Sequence, residues 1–324
     1  MKRQRGAAIL TAMLTVVLVA TLASRSLWQQ WRGVEIEAAE RSRTQAAWVL
    51  VGALDWARLI LREDARKGGA DHLAEPWAVP LAQARLSTFL AAERSDALAA
   101  DDAPEAFLSG QIVDLQSRLN VTNLMLDGKI NEPSQLAFTR LFKLLNLPAT
   151  ELALLADNLR LAQSSSAPSK AKPDPGVASS MALLPQDVDQ LVWLGLPARS
   201  IAVLRPFITV LPERTPVNLN TAPVEVIYAS VIAFELADAH QLVTARSTTH
   251  FAKLEDARQA SAKTDAKLDD AALYSVTSRF FEVRGQLQLG QSTVQELSMV
   301  QRDGMEVKTL RRQRGVVPTA APLQ

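Results

Sequence analysis

The residues of this 324-residue chain that could do chemistry are few and scattered. His72, His240 and His250 lie far apart without the short spacings of metal ligands, which predicts solvated or locally hydrogen-bonded imidazoles. Asp101-Asp102 and Asp269-Asp270 are adjacent acids whose side chains diverge rather than share a proton. The stretch "DGKINE" at 127–132 offers oxygen ligands, but it lacks the alternating acids and closing bidentate Glu of a calcium loop. With 0 Cys, a disulfide framework, thiol catalysis and cysteine-held zinc are all excluded. No nucleophile elbow, phosphate loop or zinc-protease helix signature occurs. The expectation is a protein that is not an enzyme, with no catalytic residue, no metal ligand set and no cofactor.

What the sequence does carry is an element that must be placed in a particular solvent. Apolar residues make up 48% of the chain and charged ones 21%, the mix of a folded protein of about two domains. The net charge of +1 supplies no global field for nucleic acid. Lys2, Arg3 and Arg5 precede an uncharged run from Ala7 to Ser24, with Ile9, Leu10, Leu14, Val16, Val17, Leu18, Val19 and Leu22 as its bulky apolar residues. As a helix this run spans roughly 27 Å, enough for a bilayer core. The basic cluster, with no acid before Glu35, keeps the amino terminus cytoplasmic and sends the rest outward. Thr21-Leu22-Ala23 would pass as a signal-peptide cleavage site, but no proline interrupts the chain before Pro76 and the apolar run continues as a helix. Ala46, Val49, Leu50, Ala53, Ala57 and Ile60 recur at spacings of three and four, the signature of an amphipathic helix packed on a globular domain in its last third, and Glu37 and Arg41 can pair across one turn. Lys67-Gly68-Gly69 stops a helix predicted over 7–66.

Gly6, between a short basic leader and an uninterrupted apolar helix, resembles the processing site of type IV prepilins and type II secretion pseudopilins. The resemblance implies cutting between Gly6 and Ala7 by a prepilin peptidase, methylation, and retention of the helix in the inner membrane. Most pilins and pseudopilins carry Glu at the fifth mature position, where this chain has Thr11. A carboxylate in hydrocarbon is costly unless it meets a neighbouring subunit's new amino terminus, and a first subunit has no earlier neighbour. Thr11 therefore resembles the K-type minor pseudopilin at the fibre tip; locally its hydroxyl is expected to bond back to its own helix.

Further along, 70–106 reads as loops with a helical piece around Leu81 to Leu90. "FLSGQIVDLQSRLNVTNLM" reads as two short strands or a strand and a bend, and its Gly110, Asp114, Arg118 and Asn120 resemble the strand region of the K family. From Asn131 to about Leu273 the pattern is helical, with Pro148 separating two helices and a flexible Ser/Pro connector at 163–180. Residues 203–222, ending "VNLNTA", resemble the order of that family's helical region; there Thr221 is placed to cap the next helix and Pro223 to lie in its first turn. The same stretch is similar to helix-hairpin-helix DNA-binding modules. It lacks their hairpin glycine, however, and from Val217 to Ala260 five acids face three bases, which argues against phosphate binding. Beyond Leu273, alternation in "RFFEVRGQLQLG", a turn at Gly290 to Ser292 and Asp303-Gly304 predict three antiparallel strands, then an unstructured tail from Gly315.

The expected fold class is α+β: a pilin-like long helix packed on a small antiparallel sheet, with a large helical insertion at 125–273 between strands at 67–124 and 274–314. The resemblance to the type II secretion minor pseudopilin K family covers nearly the whole chain. It implies a single-pass inner-membrane protein with a periplasmic domain, which initiates and caps the pseudopilus tip in support of protein export. It further implies minor pseudopilins of the I and J types, met through helix packing of the 34–66 face with Ala46, Val49, Leu50, Ala53, Ala57 and Ile60, and the major pseudopilin and the prepilin peptidase as partners, without nucleic acid. Some relatives bind calcium in the inserted region, and no motif here assigns it. The alternative is another single-pass anchored periplasmic protein whose helix-hairpin-helix-like domain binds DNA or peptide.

Overall fold

The computed structural model describes residues 5–86, 106–166, 183–263, 266–289 and 292–315. Helix α1, Arg5–Lys67, is unbroken over 63 residues and ends where the chain enters left-handed backbone at Gly68 (φ 66°) and Gly69 (φ 116°). No side chain with a Cβ adopts two such conformations in succession without strain, so the paired glycines set the stop. The Glu37–Arg41 pair forms at 3.1 Å on the exposed flank.

Five antiparallel strands form one sheet in the order β1-β2-β9-β10-β11. They are β1 Leu81–Arg85, β2 Ala106–Asp114, β9 Phe280–Leu289, β10 Ser292–Asp303 and β11 Glu306–Gly315. The helical piece expected from Leu81 is thus a strand in its first five residues, an edge strand antiparallel to β2; Leu81 and Ala84, three apart, are both half-buried because the ladder slips register between them. The turn at 290–291 and the tail at 316–324 lie outside the described residues, and β11 continues through Gly315, where the sequence placed the start of the tail.

The C-terminal third of α1 lies across one face of this sheet. Ala46 and Leu50 pack on Leu108 and Leu287. Leu54, Ala57 and Leu61 pack on Ile112, Phe281, Val283, Val300 and Val307, with Trp77 set edge-on against Phe281 at 5.2 Å. The helix can come this close because Gly285, the cross-strand partner of Gly110, lies beneath it. A Cβ on Gly285 would stand 3.1 Å from Leu50 Cδ2, and one on Gly110 would stand 3.1 Å from the Arg284 carbonyl oxygen.

The chain leaves the sheet after Asp114 and returns at Phe280, and the described residues between form an insertion with its own core. Short 3-10 turns at Leu115–Ser117 and Val121–Leu124 lead through β3 (Leu119–Asn120) to a tight hairpin of β4 (Met125–Leu126) and β5 (Lys129–Ile130). Helices α2 (Glu132–Leu144) and α3 (Ala149–Ser166) follow, so α3 covers the first residues of the expected connector; 167–182 lies outside the described residues. A 3-10 segment Val188–Leu194 ends at Gly195 (φ 91°) and gives way to α4 (Ala198–Leu204) and β6 (Ile208–Thr209). Strand β7 (Val217–Asn218), helices α5 (Val224–Ser230), α6 (Leu236–Thr248) and α7 (Leu254–Ala260), and β8 (Tyr274–Ser275) complete it. Arg140 on α2 closes α5 by donating to the carbonyls of Tyr228, Ile232 and Phe234 while stacking on the Tyr228 ring at 4.2 Å.

Substituting Gly285→Val forces Leu50 off its rotamer or lifts α1 from the sheet. The expected loss is about 1–3 kcal/mol, read from denaturant unfolding of the purified chain.

Candidate assembly surface and its buried joint

Gly6 and Ala7, the pair expected to flank a processing cut, lie in the opening turn of α1. Every residue from Ile9 to Arg41 is exposed, including each bulky member of the apolar run. An 18-residue window there has a mean hydropathy of 1.7 with 0% of it buried, so α1 is long and apolar enough to cross a membrane. Thr15 and Thr21 hydroxyls donate back to the carbonyls of Ala12 and Leu18 at 2.8 and 2.9 Å, which satisfies them without a neighbour. Thr11 is exposed in the same span and also has a partner of its own.

The expected partner-helix face turns out to be spent inside the chain. Ala46, Leu50 and Ala57 are 1%, 2% and 4% exposed against the sheet, with Val49, Ala53 and Ile60 packed at the margins of the same contact. Periodicity identifies an apolar face but not its partner, and here the nearest apolar surface is the chain's own β2–β9 ladder. The opposite ridge carries Trp48, Gly52 and Leu59; Trp48 is 72% exposed and a Cβ on Gly52 would meet nothing within 4 Å.

Sheet and insertion are fastened by buried polar groups. Asp114, the last residue of β2, accepts from the Gln116 amide at 2.7 Å through Oδ1. Its Oδ2 accepts from Thr221 Oγ1 and Ser278 Oγ, each at 2.6 Å, and from Asn218 Nδ2 at 3.1 Å. Asn218 also donates to the Asp71 carbonyl at 3.2 Å, and Asp71 Oδ2 accepts from the Ser278 amide at 2.6 Å. Arg302 on β10 then reaches Asp71 at 2.6 Å, Asp64 on α1 at 2.7 Å and the Ser278 carbonyl at 2.8 Å. Burial pushes the Asp114 carboxyl up to about 6, against the hydrogen bonds from Ser278 and Thr221 that favour its charge. Burial likewise lifts Asp71 despite the pull of Arg302. Thr221 is thus not the cap of α5: its hydroxyl is committed to Asp114, and Pro223 stands at the N-cap with no side-chain cap bond.

The comparisons with known proteins bear on this arrangement directly. Residues 117–213 and 217–277 each match a family model described as type II secretion system (T2SS), protein K. Type II secretion system protein K of Pseudomonas aeruginosa is 28% identical over 331 residues, covering 96% of this chain and 93% of the relative. The protein of that name from Klebsiella pneumoniae is 28% identical over 347 residues, covering 97% of each. The chain belongs to the type II secretion system protein K family. Its fold is also that of a solved relative in the crystal structure of the GspK-GspI-GspJ complex from enterotoxigenic Escherichia coli. That match has a TM-score of 0.64 and 21% identity over 86% of this chain and 99% of that one. The chain is accordingly a minor pseudopilin of the K family, with the expected pilin-like α+β architecture.

In this K-family chain the two matched segments fall almost wholly between β2 and β9, and the second supplies Asn218 and Thr221 to the joint. Two further features escaped sequence reading. The rings of His72 and His250 stack at 3.8 Å and 12°, bridging the loop after α1 to the insertion, although 178 positions of numbering separate them. Beside them Asp64, Asp71 and Glu75 bring carboxylate oxygens within 4.8 Å of one another, with Arg302 as the cation that two of them hold. "DGKINE" forms the β4–β5 hairpin, with Asp127 (φ 52°) and Gly128 (φ 74°) in its turn.

Burial raises Glu75 to about 7, with Asp64 adding to the effect. A raised carboxyl contributes stability that is full below its unfolded value and is lost as pH rises through about 6 for Asp114 and about 7 for Glu75. His72, lowered by burial and by His250, acts with opposite sign: its contribution is present above the ordinary histidine range and lost on acidification. The thermal midpoint should rise between about pH 7.5 and pH 5, and Glu75→Gln should flatten that rise. Thr221→Val should cost about 1.5–3 kcal/mol at neutral pH, where Asp114 is ionised, and about 1 kcal/mol near pH 5.

Proposed function

We propose that this chain is the subunit that initiates and caps the tip of a type II secretion pseudopilus, after a prepilin peptidase cuts between Gly6 and Ala7. The observation that carries the reading is the unbroken α1, bare from Ile9 to Arg41 and sheet-covered from Ala46. A helix that long, apolar first and amphipathic later, needs a bilayer around its start and protein neighbours around its middle. The mature segment from Ala7 is held in the inner membrane, and the remainder of the chain is periplasmic.

The solved structure that shares this fold is of a GspK-GspI-GspJ complex, which supports partners of the I and J types here. Those partners meet the exposed Trp48, Gly52 and Leu59 ridge, where an absent side chain lets a second helix approach between two large apolar ones. Thr11, without charge, suits a first subunit, and the insertion blocks addition of further subunits above it.

Amino-terminal sequencing and mass of the membrane-derived protein, with and without the peptidase, test this reading. A start at Ala7 only with the peptidase is expected; a start at Met1 in both, or at Ser24, contradicts it. Thr11→Glu should let the chain enter the fibre shaft, scored by its number of copies in sheared pseudopili; an unchanged copy number removes the charge argument.

A further inference from the structure

A cavity of about 520 Å³ separates the sheet's other face, away from α1, from the insertion. Its electrostatics are unusual in one respect. Four acids line it, and each is engaged by an arginine of the same lining: Asp187 by Arg311 at 2.9 Å, Glu282 by Arg284 at 2.5 Å, Glu296 by Arg314 at 2.7 Å, and Asp189 by Arg205.

The fifth lining arginine is Arg118, held where the 3-10 turn Leu115–Ser117 ends by its amide bond to the Leu115 carbonyl. Arg118 is only 8% exposed, yet among the described residues no side chain or carbonyl forms a hydrogen bond or ion pair with its guanidinium. Glu282 attracts it, but that carboxylate is already engaged by Arg284. Fully buried side-chain atoms without a partner occur, among the described residues, on Glu151 and Ser200 alone, so the Arg118 nitrogens keep contact with the space of the cavity. A guanidinium this deep is costly to leave unpaired, and its planar fork matches an oxyanion in bidentate fashion.

We propose that the cavity is a carboxylate-binding site in which Arg118 grips a single carboxylate group. One unmatched cation calls for one negative charge, which selects a carboxylate over a doubly charged phosphate. Leu115 and Met299, buried side by side on the cavity wall, provide apolar surface for the carbon attached to it. The same chemistry is offered by an Asp or Glu side chain of a neighbouring subunit and by a small free carboxylate.

The test is thermal unfolding of the full chain in detergent, in sodium acetate against sodium chloride at equal ionic strength near neutral pH. Acetate should raise the midpoint by a few degrees over chloride through mass action. Sodium phosphate should do no better. Arg118→Met should abolish the acetate increment, Arg118→Lys should retain part of it, and Arg205→Met should keep it. Should Arg118→Met fail to fold, the wild-type acetate-against-chloride difference still decides. No acetate-specific rise in the wild type, or an equal rise in a folded Arg118→Met, overturns the proposal. A second arm repeats the titration on the complex with partner pseudopilins and rests on the partner reading above. Loss of the increment there, with partner binding at least tenfold weaker in Arg118→Met, identifies a neighbour's side chain; an increment that persists identifies a free carboxylate.

Discussion

A carboxylate that is wholly removed from water persists only where donors replace its hydration, and Asp114 is such a group. Its donors come from three separate parts of the chain: Gln116 just after β2, Asn218 and Thr221 in the insertion, and Ser278 on the way back to the sheet. Asp71 and Arg302 extend the network to the end of α1 and to β10. The insertion has its own apolar core, and among the described residues the buried apolar cluster that joins it to the sheet's other face is small: Leu115, Leu211, Phe280 and Met299. Orientation of the inserted body on the pilin-like body therefore depends on the polar joint, since hydrogen bonds are directional and apolar burial is not.

The second constraint is that α1 serves two surroundings at once. Its Ala46–Leu61 face packs closely onto the sheet over Gly285, which commits that face and leaves the opposite ridge, with Trp48 and Leu59, outward. The stretch from Ile9 to Arg41 has no internal cover. A helix built this way is half of a packing arrangement, and in the proposed reading the missing half is lipid at one end and other helices beyond it.

Local chemistry made much of this legible in the sequence. The helix and its stop followed from apolar spacing and from Gly68-Gly69, and the three carboxy-terminal strands followed from alternation ending at Asp303-Gly304. The resemblance to the K family rests on Gly6, Thr11, the strand region with Gly110, Asp114, Arg118 and Asn120, and the 203–222 stretch. What stayed hidden was long-range. Nothing near His72 announces His250, and nothing near Asp114 announces Thr221, because such contacts are made by topology rather than by neighbours in the chain. The packing of α1 on the sheet is expected from the sequence, but that this contact takes Ala46, Leu50 and Ala57, residues also assigned to a partner helix, depends on where β2 and β9 run. Thr221 read as a cap for the same reason: the competing acceptor lies 107 positions away.

The central claim is that the outward ridge of α1, and not its apolar inner face, receives the neighbouring subunits. The chain has 0 Cys, so a single introduced thiol reports one position without background. Trp48→Cys, expressed in cells with the I- and J-type partners and treated with a short bifunctional thiol cross-linker, should yield a heterodimer band with a cysteine-bearing partner helix. Leu50→Cys in the same cells should stay monomeric. Cross-linking from position 50 and none from position 48 would contradict the account.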